Sequence, residues 1–177
     1  MQPKKVLGVL VSAGRMTAAL GIVAAGSLGM VQPVFGATTG TFTMLMVSTH
    51  GYTTVKQPEV TVFGGGLNGV GVIVESSGDP FTKGTDGDTT CVVYGRQTPK
   101  SFRLETACTF EDARGENKLY MSGKRTGGGV ETGGSGRGSL DGGTGKFSNV
   151  RGSCDYEATY RANKQVLTTV NCSWEQP

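Results

Sequence analysis

The lack of any helical pattern after residue 36 is the feature that most constrains the fold of this chain. No window of a dozen residues keeps apolar side chains at positions i, i+3, i+4 and i+7. Short runs of β-branched and aromatic residues occur instead, separated by turn residues or by glycine, and all but six of the 30 glycines follow residue 36.

These runs are spaced as the strands of an all-β protein are. About eight strands at intervals of roughly 8–12 residues predict a β-barrel or a β-sandwich. Residues 64–69, 76–88 and 126–138 are expected to connect strands, the last either as a loop or as a short edge strand. The runs occupy residues 41–49, 53–63, 70–75, 89–95, 101–110, 117–123, 145–152, 153–161 and 165–174.

Residues 1–36 have the order of regions that a secretory signal requires. Three basic residues, Lys4, Lys5 and Arg15, come with no acidic residue, and an uncharged, mostly apolar run over 16–30 follows. Val34-Phe35-Gly36 then supplies the small residues that a signal peptidase reads. The pattern predicts a cleaved signal peptide over 1–36 and one exported domain over 37–177, secreted or periplasmic. A membrane anchor is the alternative, but the apolar run is shorter than the ~18 residues that span a bilayer, so no stable membrane insertion is expected after cleavage.

The charge of the predicted mature chain is balanced. All 14 acidic residues, and all but three of the 17 basic residues, follow residue 36. Lys and Arg are interspersed with Asp and Glu, whereas a protein that binds a polyanion presents a clustered basic face. We therefore expect no nucleic-acid partner.

Four cysteines, Cys91, Cys108, Cys154 and Cys172, follow the predicted signal. An even number in an exported chain predicts two disulfides. A zinc site is the alternative, but no two cysteines have metal-ligand spacing and the single histidine, His50, is distant in sequence. We expect no metal and no cofactor.

Strand alternation selects which cysteines pair. Pairing Cys91 with Cys108, and Cys154 with Cys172, gives two antiparallel hairpins that each carry both cysteines on an apolar face. The hairpins turn at residues 98–101 and 162–164. The facing pairs are then Val93/Thr106, Gly95/Leu104 and Gln97/Phe102 in the first hairpin, and Tyr156/Val170, Ala158/Thr168 and Tyr160/Val166, with Trp174 beyond, in the second.

The stretch "DGGTGKFSNVRGSCDYE" (141–157) contains glycines that look like a phosphate-binding loop. A P-loop requires glycine five residues before Gly145 and a hydroxyl residue after Lys146, but Leu140 and Phe147 stand there. We interpret the segment as a glycine-rich turn into a strand over 145–152, with Phe147 and Val150 in the core. Gly142, Gly143 and Gly145 would then take positive φ, and Gly152 would allow a bulge or a close approach of backbones.

The same residues resemble a known signature. "GGTGKF", followed after four intervening residues by Gly152 and a strand, is similar to the glycine-rich motif of allene oxide cyclases and dirigent proteins, and "CTFEDARGENKLYMSG" (108–123) and the terminal "CSWE" add to the likeness. The resemblance covers about residues 89–175. It implies an eight-stranded antiparallel barrel with an apolar interior, often oligomeric in the plant relatives, and it leaves a homo-oligomer open here. No catalytic residue of the cyclases aligns with this sequence.

The sequence offers a small set of candidate site residues. Arg103, Arg125, Arg137 and Arg151 are candidates for binding an anion at a barrel mouth, although solvated charge is the simpler interpretation. His50 is the one candidate general base, and its place beside glycine is typical of a surface turn. We predict no catalytic residue. The candidate ligand-binding residues are Phe102, Tyr120, Tyr156, Tyr160, Arg151 and Trp174.

Three functions remain open at this stage. The first is a non-catalytic exported barrel that binds a small apolar or amphipathic ligand inside. The second is a protein-interaction module that acts through loops 64–69, 76–88 and 126–138 and has a filled barrel. The third is an isomerase or cyclase that resembles allene oxide cyclase. An apolar cavity favours the first, and a packed interior with an exposed apolar patch favours the second.

Overall fold

The computed structural model describes residues 38–125, 127–129 and 132–177. All of these residues belong to one compact unit. The signal peptide predicted over 1–36 lies outside the described residues.

Eight antiparallel strands form a closed barrel in which each strand pairs with the next and the last pairs with the first. The predicted all-β, eight-stranded antiparallel barrel is confirmed. Closure leaves no edge strand among these eight. The strands are β1 (Thr38–Lys56), β2 (Thr61–Ser76), β3 (Asp86–Thr98), β4 (Ser101–Asp112), β5 (Lys118–Arg125), β6 (Gly134–Gly143), β7 (Arg151–Tyr160) and β8 (Gln165–Gln176).

Several strand boundaries differ from the prediction. The predicted run 53–63 contains the turn between β1 and β2, and two further differences arise where glycine hides a strand. Residues 64–69, expected to be a loop, lie inside β2, and Gly69 is opposite Ser48 of β1. A Cβ at Gly69 would overlap the carbonyl oxygen of Val47, so this position needs glycine for the two backbones to approach. Residues 134–143 form β6, a full wall strand that the glycine-rich tract concealed.

The "GGTGK" segment is a turn, as expected, but residues 145–150 are not a strand. Gly142 and Gly145 have φ of 99° and 57°, and a 3-10 helix spans Gly145–Phe147. Phe147 and Val150 are fully buried, as predicted. β7 begins only at Arg151, because the chain first turns inward to place Phe147 in the core.

The two cysteine hairpins have the predicted registers. Cys91 faces Cys108 between β3 and β4, and Cys154 faces Cys172 between β7 and β8. Both disulfides are formed, with Cα atoms 4.0 and 4.1 Å apart. Asn163 in the second turn has a φ of 60°, which is the left-handed conformation that asparagine tolerates.

Aromatic side chains fill one end of the barrel, and we call this group the lower cluster. Its rings come from β1 (Phe42), β4 (Phe110) and β8 (Trp174), and from two connections, which supply Phe81 and Phe147. Phe81 stacks on Phe42 with ring centroids 4.0 Å apart. The β2–β3 connection, expected to be a surface loop, therefore closes this end with a buried ring.

A smaller group, the upper cluster, lies toward the opposite end of the barrel. It consists of Phe63, Val93, Phe102 and Leu104. Strand register places these residues near the β3–β4 turn, whereas the lower cluster lies near the start of β5 and the end of β8. The interior between the two clusters is where a cavity remains.

No helix within the described residues is long and apolar enough to cross a membrane.

Candidate ligand cavity

An internal cavity lies in the middle of the barrel. Measured as the space open to the centre of a water molecule, its volume is about 80 Å³. Since one water needs roughly 10–15 Å³ on that measure, the space holds several waters or a small organic group. Its apolar wall comprises Met46, Leu67, Val93, Leu104, Met121, Val166 and Val170, together with Cys91, Cys108 and Cys154 of the two disulfides.

Glycines in β5 and β6 make room for an aromatic side chain on the cavity wall. A Cβ at Gly123 would lie 3.2 Å from the Tyr156 ring, and one at Gly136 would overlap that ring. The glycine-rich composition of β6 thus leaves room for the Tyr156 ring beside the wall. This is a physical reason for glycine in a tract that the sequence predicts to be a loop or a short edge strand.

Arg125 is the charged residue of the cavity. It ends β5, where Leu119, Met121, Gly123 and Arg125 alternate as the inward-facing residues, and its side chain is 1% exposed. Its Nη2 donates a hydrogen bond of 3.0 Å to the carbonyl of Gly129, and its guanidinium lies 4.9 Å from the centroid of the Phe102 ring. No carboxylate among the described residues forms an ion pair with it. The Nε atom is buried without a hydrogen-bond partner in the same part of the chain.

Tyr156 contributes a second polar group that lacks a hydrogen-bond partner among the described residues. This group is its buried hydroxyl. Burial raises the pKa of the Tyr156 phenol above its usual value, Arg125 opposes that rise, and Tyr160 adds to it. The phenol therefore stays protonated near neutral pH and is available as a hydrogen-bond donor.

A cluster of three rings lies beside the cavity, at the end of β1 and β7. The hydroxyls of Tyr52 and Tyr160 lie 3.0 Å apart and form one hydrogen bond. The ring of His50 stacks on Tyr52 at 4.6 Å and meets the edge of Tyr160 at 5.4 Å. The expectation of a surface turn at His50 was wrong, because this residue is within β1 and is 7% exposed.

The candidate ligand-binding residues do not all reach the cavity. Tyr156 and Tyr160 line it. Phe102 is buried in the upper cluster and Trp174 in the lower cluster, so both support the cavity from its ends. Tyr120 and Arg151 do not belong to the interior: Tyr120 faces outward from β5 with 40% of its surface exposed, and Arg151 is exposed at the start of β7.

The four candidate arginines also differ in where they lie and in how exposed they are. Arg103 and Arg137 are on the outer wall with side chains 68% and 92% exposed. Only Arg125 of the four is buried in the cavity, and the interpretation of it as solvated charge was wrong. The sequence contains a signal for this, since strict alternation from Leu119 through Met121 puts Arg125 on the inward face.

The described residues contain no group of three or more His, Cys, Asp or Glu side chains placed to hold a metal ion. The cavity offers a ligand one buried cation, phenol hydroxyls and a mostly apolar wall. Such a set can orient a small molecule that has one polar end and an apolar body.

Comparison with known proteins adds a similarity in structure. No family model and no curated protein matches the chain. A solved structure, that of the pterocarpan synthase dirigent protein GePTS1, is similar with a TM-score of 0.45 and 15% sequence identity, over 80% of this chain and 90% of that chain. The strand pairing of this chain itself establishes the closed barrel, and a similarity of this size adds nothing about ligand or reaction.

Proposed function

We propose that this protein is an exported β-barrel that binds a small, largely apolar molecule in the cavity between its two aromatic clusters. The observation that carries the proposal is the cavity itself, which stays open at the centre of an otherwise well-packed barrel and is lined by side chains such as Met46, Met121 and Val170. Apolar lining with a few polar groups at one side is the usual composition of a small-molecule site. Two formed disulfides support export, because disulfides persist in oxidising compartments.

Methionine methyl groups give a direct test of this proposal. Met46 and Met121 line the cavity, whereas Met44 is completely buried and is not among the lining residues. In protein labelled with ¹³C at the methionine methyls, titration with benzamide or benzyl alcohol should shift the resonances of Met46 and Met121 and leave that of Met44 nearly unchanged. Unchanged Met46 and Met121 resonances with both probes at millimolar concentration would contradict the proposal.

A pair of adjacent variants provides the control. Ala158 lines the cavity, and Thr159, the next residue of β7, faces solvent. Ala158→Leu should fill the cavity and abolish the methyl shifts, whereas Thr159→Leu should leave them as in the wild type. Equal binding by both variants would show that the probes bind elsewhere.

The outer wall supports a second candidate function, the binding of another protein. Val47 and Val70 are neighbours on β1 and β2 and are 47% and 57% exposed, and Val92 and Tyr94 on β3 are 68% and 55% exposed. Exposed apolar side chains grouped on neighbouring strands are typical of contact surfaces. A wild-type protein that binds no small molecule, together with loss of partner binding in Val92→Lys, would favour this candidate over the first.

A further inference from the structure

We propose that the ligand of this cavity carries an acid group, and that Arg125 binds this group from inside the barrel. The inference rests on the proposed function and adds to it the chemical class of the ligand: an organic acid with a small apolar body. It starts from the cost of placing a guanidinium where Arg125 is.

A guanidinium has five N–H donors and always carries charge. Among the described residues, Arg125 has one hydrogen bond, to the carbonyl of Gly129, and the face of the Phe102 ring, although the residue is 1% exposed. Burying a charge is costly unless that charge is paired and hydrogen-bonded. Within the described part of the chain these two contacts are too few for the charge, which favours a further acceptor.

The cavity wall includes two residues with buried donors that lack a partner among the described residues. Arg125 lines the cavity, its Nε has no hydrogen-bond partner among the described residues, and the Tyr156 hydroxyl on the same wall has none either. Two buried donors that find no acceptor among the described residues suit a group that brings acceptors and negative charge. A carboxylate has both, and arginine recognises it with particularly favourable geometry.

Three probes of nearly equal shape measure how the charge of a ligand affects its affinity, with its size held constant. Benzoate, benzamide and benzamidinium carry a negative, a neutral and a positive head on the same ring. Titrations followed by the Met46 and Met121 methyl resonances should show benzoate binding about ten-fold tighter than benzamide, with benzamidinium weakest, because a charge-assisted hydrogen bond is stronger than a neutral one. Benzamide binding as tightly as benzoate would overturn the acid-group inference and leave the proposed function standing. No binding of any probe would remove the proposed function itself.

Variants then assign the preference to Arg125. Arg125→Gln should bind benzoate and benzamide equally, whereas Arg137→Gln, which makes the same change in charge on the exposed outer wall, should keep the wild-type preference. If Arg125→Gln does not fold, Tyr156→Phe serves instead and should weaken benzoate several-fold by removing the second donor. A wild-type preference for benzoate in Arg125→Gln would overturn the inference.

A carboxylate of the protein itself could compete with a ligand for Arg125, and the experiment must distinguish the two. Glu131 follows Arg125 by six positions and lies outside the described residues. If Glu131 were the permanent partner of Arg125, the wild type would show no preference for benzoate and Glu131→Gln would acquire one. That result would overturn the inference, whereas an equal preference in both proteins would support it.

Discussion

Tyr156 and Tyr160 face the same cavity from one strand, but their hydroxyl groups have different partners. The Tyr160 hydroxyl shares a hydrogen bond of 3.0 Å with Tyr52, and the Tyr156 hydroxyl has no partner among the described residues. A buried hydroxyl without a partner is costly, whereas a paired one contributes to stability. The two residues are therefore a matched pair for testing the cavity in its empty state.

We predict opposite consequences for the two hydroxyl deletions. Tyr156→Phe should leave the free energy of unfolding unchanged or raise it slightly, because it removes an unsatisfied group. Tyr160→Phe should lower it by about 1 kcal/mol, because Tyr52 loses a bonded partner. Urea denaturation of the ligand-free protein measures both. A larger loss for Tyr156→Phe would mean that its hydroxyl is already satisfied in the empty protein.

At this scale the sequence predicts which way a side chain points better than it predicts what that side chain does there. Alternation places Tyr156, Tyr160 and Trp174 on the inward face, as the structure has them. The same alternation places Arg125 inward, yet charge is solvated so often that composition argues against it. The enclosure of Arg125 depends on Phe102 and Gly129 from other parts of the chain, and local sequence does not encode those contacts.

Among the elements, β1 and β2 pack with a backbone approach that only glycine allows. A Cβ at Gly69 would overlap the Val47 carbonyl, whereas a Cβ at Gly51, also on these strands, would meet nothing within 4 Å. Gly69→Ala should therefore destabilise the protein by about 1–3 kcal/mol through overpacking. Gly51→Ala should be neutral or stabilise it by up to about 1 kcal/mol, because it restricts the unfolded chain. Thermal unfolding compares the two variants, and similar midpoints for both would contradict the close approach.

The β4–β5 turn depends on the charge of one carboxylate. The Asn117 side chain donates a hydrogen bond of 2.5 Å to Asp112, the Glu116 and Asn117 amides donate two more, and these bonds hold the pKa of the Asp112 carboxyl below its usual value. A depressed pKa gives stability that is complete above the unfolded value of about 3.9 and is lost as the pH falls through the lower folded value.

Asp112→Asn should therefore destabilise the protein at pH 7 and matter progressively less as the pH falls from about 4 toward 2. The measurement is the difference in urea midpoint between wild type and variant across this range. Asp155→Asn is the control, because Asp155 is exposed and its ion-pair partner among the described residues, Arg137, lies 3.8 Å away on the surface. A difference for Asp112→Asn that stays constant with pH would contradict the role of its charge.

Elements marked by cysteine and alternation were predictable, and those rich in glycine were not. The registers of β3–β4 and β7–β8 followed from the requirement that both cysteines share an apolar face. β6 has too few large side chains for any pattern to identify it. Its place in the wall comes from pairing with β5 and β7 and from the room it leaves for Tyr156, both of which are long-range properties.

For the whole molecule, the pairing of β1 with β8 closes the wall, and aromatic residues fill both ends. The cavity is then the space that a ligand would occupy. Barrels of eight strands are just wide enough to be filled by side chains or to hold one small molecule. The sequence left both outcomes open. The choice depends on how Tyr156, Arg125 and the flanking glycines pack together, which only the assembled barrel shows.

Native mass spectrometry of the oxidised protein, purified from the organism that makes it, tests the central claim most directly. We predict a species that exceeds the mass of the disulfide-bonded chain by one small molecule, which solvent extraction releases and which negative-ion analysis identifies as an organic acid. Ala158→Leu, produced in the same way, should give the bare chain. A wild-type protein that carries only the mass of its own oxidised chain, under conditions gentle enough to retain weak ligands, would contradict the account.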